Sequence, residues 1–113
     1  MIYLELNNNL PNQKFDVAVK DGTLEIELRT VDNIVLFSMK HNGNNIVNSV
    51  KVAPNVLLLG YKYLQEQYGD FIFTTTDNQY PYYKNFNNAN KLYWLSYDEV
   101  KEFNGIEQKK YQG

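Results

Sequence analysis

The chain has 113 residues, no cysteine and a formal net charge of −2. This length predicts one domain with a single core, and the absence of cysteine excludes a disulfide scaffold, a thiolate metal site and a cysteine nucleophile. The charge provides no electrostatic footprint for nucleic acid, which usually requires a clear basic excess. Ten tyrosines raise the aromatic share to 15%, and tyrosine is common both in sheets and at protein interfaces.

The first half of the chain alternates apolar and polar residues with the period of two that is typical of β-strands. We predict five strands here, at residues 2–6, 15–20, 24–29, 35–40 and 46–52. Asp21-Gly22 and Asn42-Gly43 are predicted to be hairpin turns, because these residue pairs accept positive φ angles. The sequence therefore predicts an antiparallel meander with one buried face.

The pattern changes at Pro54, where the apolar run Val56-Leu57-Leu58-Leu59 follows. We predict one short helical turn at residues 56–59, between strands five and six, and then an extended piece. β-Branched and aromatic residues predict two further strands, at 71–76 and 92–97, separated by a long polar loop. The alternation assigns six side chains to the core: Leu24, Ile26, Leu28, Phe37, Met39 and Trp94.

The residues after Tyr97 are mostly polar. Val100, Phe103 and Ile106 have helical spacing, so residues 98–113 are predicted to be a C-terminal extension. It forms a short helix with Asp98 as its N-cap, or it becomes ordered on a partner. Residues 1–97 are predicted to be a single all-β domain, a small antiparallel barrel or sandwich of OB-like type.

The sequence contains few candidates for chemistry. The single histidine, His41, lies in a predicted tight turn without an orienting partner for general-base catalysis. Glu25 and Glu27 have a spacing that would suit an acid–base pair, but their alternation with leucine and isoleucine is typical of the solvated side of a sheet. We therefore predict a protein without catalytic residues, metal or cofactor, which is not an enzyme.

Two segments rich in apolar and aromatic residues are better candidates for function. Aromatic side chains in a polar loop stack on sugars or bases, insert into a protein partner, or fold back over the domain. A protein partner is favoured, because Lys84 is the one basic residue near the loop aromatics. The alternative is an OB-like or lectin-like module that binds glycan or single-stranded nucleic acid. The predicted interface consists of Val56, Leu57, Leu58, Leu59, Tyr61, Tyr63, Tyr80, Tyr82, Tyr83 and Phe86.

The order and spacing of these motifs, over about residues 13–97, resemble a known family. That family is the small baseplate plug proteins of contractile-tailed phages, as found in cyanophage tails. The most specific matching motif in this chain is the leucine run before Gly60-Tyr61-Lys62-Tyr63. The other matching pieces are the Phe15-x-Val17-x-Val19 strand, the Asp21-Gly22 turn, the Leu24-x-Ile26-x-Leu28 strand, the Asn42-Gly43 turn and the final strand beginning Lys91-Leu92-Tyr93-Trp94.

The resemblance implies a structural virion protein of the tail baseplate. It would assemble in several symmetric copies with hub, tail-tube and spike proteins, and would have no enzymatic activity. Nucleic acid is not an expected partner, because the chain has no basic excess. A membrane is not expected either, because no apolar run approaches the ~18 residues of a membrane span. The N-terminus lacks the pattern of a signal peptide, so we expect synthesis in the host bacterial cytoplasm.

Overall fold

The computed structural model describes the backbone of residues 1–112 and the side chains of residues 1–105. Two antiparallel sheets, with strand orders β1-β7-β6 and β2-β3-β4-β5, share one core. The predicted mostly-β antiparallel class is confirmed, and the two sheets are not closed into a barrel. The elements are β1 (Ile2–Leu4), β2 (Gln13–Val19), β3 (Gly22–Val31), β4 (Ile34–His41), β5 (Asn44–Lys51), α1 (Lys62–Tyr68), β6 (Asp70–Thr75), β7 (Asn90–Leu95) and α2 (Tyr97–Gln112).

The hairpin turns of the larger sheet follow from residues that accept positive φ. Asn42 and Gly43, at φ 49° and 84°, form the predicted turn between β4 and β5. The turn between β2 and β3 lies one residue earlier than predicted: it consists of Lys20 and Asp21, and Gly22 begins β3. Gly22 has φ 131°, and a Cβ atom there would lie 2.3 Å from the Asn42 side-chain oxygen. Glycine is therefore required by both backbone conformation and close packing.

The core lies between the two sheets. Phe37 of β4 and Phe71 of β6 meet there with ring centroids 5.2 Å apart. The prediction for Trp94 holds only in part, since it is half-buried at the margin of the core. Its indole Nε1–H donates to the Tyr68 carbonyl oxygen at 2.9 Å, which gives the polar end of the ring its partner. The other five predicted core residues are at most 1% exposed: Leu24, Ile26, Leu28, Phe37 and Met39.

A helix lies between β5 and β6, as predicted, but its predicted position is wrong. Residues 56–59 are not helical, because their segment runs alongside β6. The backbone N–H groups of Asn55 and Leu58 donate to carbonyl oxygens of β6 at 2.8 and 2.9 Å. The helix is α1, six residues later than predicted. It buries Leu64 and Tyr68, whose i,i+4 spacing forms a narrow apolar stripe.

The helix α2 begins with a capping box that the sequence analysis missed. The Glu99 backbone N–H donates to Ser96 Oγ at 3.3 Å, and the Ser96 N–H donates to Glu99 Oε1 at 3.0 Å. Asp98 is therefore not the N-cap but lies in the first turn. The Met1 amino group and Ser96 hold the pKa of Glu99 below its ordinary value.

The first turns of α2 cover the outer face of the smaller sheet. Val100 is fully buried against Ile72 and Leu95, and Phe103 packs beside them. Ile106, the third residue of the predicted apolar stripe, lies outside the residues whose side chains are described. Val100 and Phe103 therefore attach the start of the helix to the sheet.

Replacing Ser96 with alanine should lower the free energy of unfolding by about 1 kcal/mol, the usual cost of losing an N-cap side chain. The measurement is a denaturant titration of both proteins. Thr76→Ala is the control, because Thr76 is an exposed hydroxyl residue outside any helix, and its replacement should cost no more than ~0.5 kcal/mol. Equal costs at the two positions would contradict the capping role of Ser96.

Candidate functional site

The ten residues of the predicted interface separate by exposure. Leu58, Leu59 and Phe86 are 7%, 4% and 0% exposed, so they belong to the core and do not reach a partner's surface in this fold. Leu57, Tyr82 and Tyr83 are half-buried. The exposed members are Val56 at 47%, Tyr61 at 64%, Tyr63 at 67% and Tyr80 at 52%.

The segment that carries Val56 and Tyr61 is held in place by one buried carboxylate. Asp70 is fully buried at the start of β6. Its Oδ1 accepts the Leu59 N–H at 2.8 Å and the Phe71 N–H at 2.6 Å. Its Oδ2 accepts the Gly60 N–H at 3.2 Å and the Gln65 side-chain amide at 2.8 Å. These four bonds fix the segment to both β6 and α1, so the surface above it is preorganised.

Two tyrosines project from the start of α1. Tyr61 is the N-cap residue and Tyr63 lies in the first turn, and their ring centroids are 5.9 Å apart. Lys62 lies between them and forms an i,i+4 ion pair with Glu66 at 3.8 Å. We call Val56, Tyr61 and Tyr63 the exposed apolar surface. Each has about half or more of its area in water.

A cleft of about 320 Å³ lies between the 55–60 segment and α2. Val56 and Leu57 line one side, and Phe103 and Asn104 of α2 line the other. The sequence analysis assigned Phe103 to an apolar helical stripe but not to a site, because its neighbours in the cleft lie more than forty residues away in the chain. The lining also includes Asn55, Gln65 and Asn104, so the cleft is a depression of mixed polar and apolar character beside the exposed Val56.

The loop before β7 is largely folded back onto the core. Phe86 stacks on Phe73 with ring centroids 5.5 Å apart, and Tyr83 packs against the core cluster. Tyr82 contacts Tyr83 edge-on at 4.9 Å. Tyr80 alone of the four loop aromatics is exposed, and the Lys51 ammonium lies 4.5 Å from its ring centroid. Most of this loop therefore contributes to packing.

The loop and the 54–63 segment adjoin each other near their beginnings. Asn55, at φ 60°, donates from its side-chain amide to Asn78 Oδ1 at 3.2 Å. Its Oδ1 accepts the Thr75 N–H at 3.0 Å. Asn55 thus links the start of the segment after β5 to the end of β6, whereas Gly60, just before Tyr61, bonds to Asp70 at the other end of that strand.

The residues considered for catalysis have structural partners. His41 is half-buried, with Nε2 3.0 Å from the Asp21 carbonyl oxygen and Nδ1 3.3 Å from the Tyr68 hydroxyl. Glu25 lies 4.0 Å from the Lys40 ammonium, and Glu27 lies near Lys14 and Arg29 on the outer face of the larger sheet. Among the side chains that the structure describes, no group of histidines and carboxylates is placed to hold a metal ion.

Within the described part of the chain, neither helix combines the length and the apolar character needed to cross a bilayer.

Comparison with known proteins identifies the family. No curated protein matches the chain. The family model described as cyanophage baseplate Pam3 plug gp18 matches residues 1–98, which include all seven strands, α1 and the first residues of α2. The resemblance seen in the sequence motifs is therefore confirmed. The chain belongs to this family of cyanophage baseplate plug proteins, and it is a structural component of a phage tail baseplate.

Proposed function

We propose that the protein acts in the baseplate by binding neighbouring tail proteins, without catalysis, through the exposed apolar surface and the adjoining cleft. The observation that supports this most directly is the exposure of Val56, Tyr61 and Tyr63 above a segment held rigid by Asp70. Large aromatic side chains at a rigid surface bind partners at low entropic cost.

The partners we propose are the hub, tail-tube and spike proteins, contacted by several symmetric copies of the chain. The protein has a net charge of −2, and the lysine between the two tyrosines is paired with Glu66. The surface therefore lacks the excess of free positive charge that nucleic acid requires. In this proposal the chain is made in the host cytoplasm and its final location is the virion.

The joint contribution of the two tyrosines to binding can be measured by capture of purified hub, tail-tube and spike proteins. Replacing Tyr61 and Tyr63 with alanine should weaken capture strongly, since tyrosine anchors each contribute on the order of 2 kcal/mol. The melting temperature should change little, because both side chains are mostly in water. The matched control is the double variant Leu10→Ala and Val31→Ala, two exposed apolar residues elsewhere, the first in the loop before β2 and the second at the end of β3.

Three outcomes discriminate the proposal from its alternatives. Undiminished capture by the tyrosine variant would remove this surface from the interface. Equal loss in the control would indicate a general effect of surface hydrophobicity. Tyr61 and Tyr63 also form an adjacent exposed pair, the arrangement on which bases or sugars stack. Tyrosine-dependent binding of a single-stranded oligonucleotide or of a glycan would therefore favour the binding-module alternative.

A further inference from the structure

The two sheets have four edge strands, and three of them are blunted. β1 has three residues, the backbone of residues 55–58 covers β6, and β5 is interrupted by register shifts with Ser49 at φ 56°. β2 differs: its seven residues pair with β3 in continuous register, without a bulge. Within residues 1–112 its second edge has no strand partner. Long regular edges pair readily with another chain, and folded proteins usually protect them.

The hydrogen bonds of β3 define which backbone groups of β2 are free. Thr30 donates its N–H to the side chain of Asn12, just before β2, whereas the Thr23 carbonyl accepts from Asn42, after β4. The backbone N–H and C=O groups of the even-numbered residues of β3 therefore point toward β2. Their partners in β2 are the odd-numbered residues. Because the bonding direction alternates along a strand, the N–H and C=O groups of Lys14, Asp16 and Ala18 point to the open edge.

The side chains of β2 also indicate an incomplete environment. Phe15, Val17 and Val19 face the core but are only half-buried, whereas the inward residues of β3 are at most 1% exposed. On the outer face, Lys14 and Asp16 carry opposite charges at successive positions. An added strand would cover the apolar side of β2 and give Asp16 a cationic neighbour, whereas Lys14 already lies 3.7 Å from Glu27 of β3.

We propose that β2 pairs antiparallel with β2 of a second copy, about a two-fold axis at Phe15. This register places Lys14 of each copy opposite Asp16 of the other, so the free backbone groups form four hydrogen bonds and the side chains form two ion pairs. The two Phe15 side chains lie opposite each other on the core side. The result is a continuous eight-stranded sheet. This pairing concerns the free protein, and it does not depend on the surface proposed for baseplate contacts.

The other registers that use the same backbone groups are less favourable. An axis at Asp16 places two aspartates opposite each other. An axis at Val17 places Lys14 opposite Lys20. An axis at Ala18 pairs Asp16 with Lys20, but Lys20 is a turn residue, so only the Ala18 pair remains on regular strand. Charge and strand length therefore select the axis at Phe15.

Sedimentation equilibrium over a range of concentrations tests the pairing. The wild-type protein should dimerise reversibly. Asp16→Lys and Lys14→Asp each place like charges opposite each other, and each should raise the dissociation constant roughly tenfold or more. A mixture of the two variants should recover the dimer, because both pairs are then of opposite charge. Lys20→Asp is the control, since Lys20 lies outside the pairing and should leave the dissociation constant unchanged.

A backbone variant provides an independent test. Asp16→Pro removes an N–H that points to the open edge, so the bonds between β2 and β3 remain. It should abolish the dimer while the melting temperature stays close to that of the wild type. A monomeric wild-type protein at every concentration would overturn the proposal. So would a mixture of the charge variants that fails to recover the dimer, or a dimer weakened by Lys20→Asp and unaffected by Lys14→Asp.

Discussion

Replacing Asp70 with alanine is expected to lower the free energy of unfolding by about 3–5 kcal/mol. The carboxylate is fully buried and accepts four N–H groups, from Leu59, Gly60, Gln65 and Phe71. Alanine would leave these donors without their acceptor, and each unsatisfied buried donor costs about 1–3 kcal/mol. The total is below the simple sum, because the 59–60 segment can relax toward water.

Urea titrations at neutral pH, analysed by linear extrapolation, would measure this loss. Asp70→Asn should cost less than the alanine variant, because its side-chain oxygen still accepts and the Gln65 amide can turn to present its oxygen to the new NH₂ group. Glu66→Ala is the control on the exposed side of α1, with an expected change within ~0.5 kcal/mol. A loss below about 1 kcal/mol for Asp70→Ala would show that the four bonds do not hold the segment.

The strands could be predicted from sequence because their signal is local. The first five predicted strands show apolar–polar alternation, the last two are rich in β-branched and aromatic residues, and the asparagine–glycine turn supplies its own geometry. The alternation leaves one apolar face on the larger sheet, whereas the smaller sheet is apolar on both faces, one of which α2 covers at Ile72 and Leu95. Whether the sheets close into a barrel depends on strand lengths and bulges at their edges, such as the irregular pairing at Ser49, which no local pattern specifies.

The helix between β5 and β6 was misplaced for an identifiable reason. The run Val56-Leu57-Leu58-Leu59 has more apolar residues than Lys62–Tyr68, so local composition favoured the earlier segment. The fold instead bonds the 55–58 backbone to β6 and buries Leu58 and Leu59 in the core. The true helix buries two apolar residues, Leu64 and Tyr68, and a stripe that short is a weak signal.

The interface itself remains a prediction, and only the exposure of its residues can be compared with the structure. Tyr61, Tyr63 and Val56 are on the surface. Asp70 was not among the predicted site residues, because the Leu59 and Gly60 groups that it binds lie 11 and 10 residues away in the chain. Phe86 was assigned to the predicted interface, with packing against the domain as an alternative for its loop, and its ring stacks on Phe73. Long-range partners decide all of these cases, and one sequence does not reveal them.

Phe37→Ala is expected to lower the free energy of unfolding by about 3–5 kcal/mol, the usual cost of removing a buried aromatic ring. Phe37 is fully buried in the middle of β4, opposite Leu28 of β3 and Val50 of β5. Its ring contacts Phe71 of the other sheet at a centroid distance of 5.2 Å. The substitution therefore opens a cavity at the place where the two sheets meet, and neither sheet can collapse into it without losing its own pairing.

Leu36 provides the matched control for this substitution. It precedes Phe37 on the same strand, so its side chain points to the opposite face of the sheet, where it is half-buried. Leu36→Ala should cost clearly less than Phe37→Ala, and a larger loss at Leu36 would mean that the strand is shifted by one residue. A double-mutant cycle with Phe71→Ala should give a coupling energy of about 0.5–1.5 kcal/mol, as for other aromatic pairs. A coupling near zero would show that the two rings do not join the sheets, even if each substitution alone is destabilising.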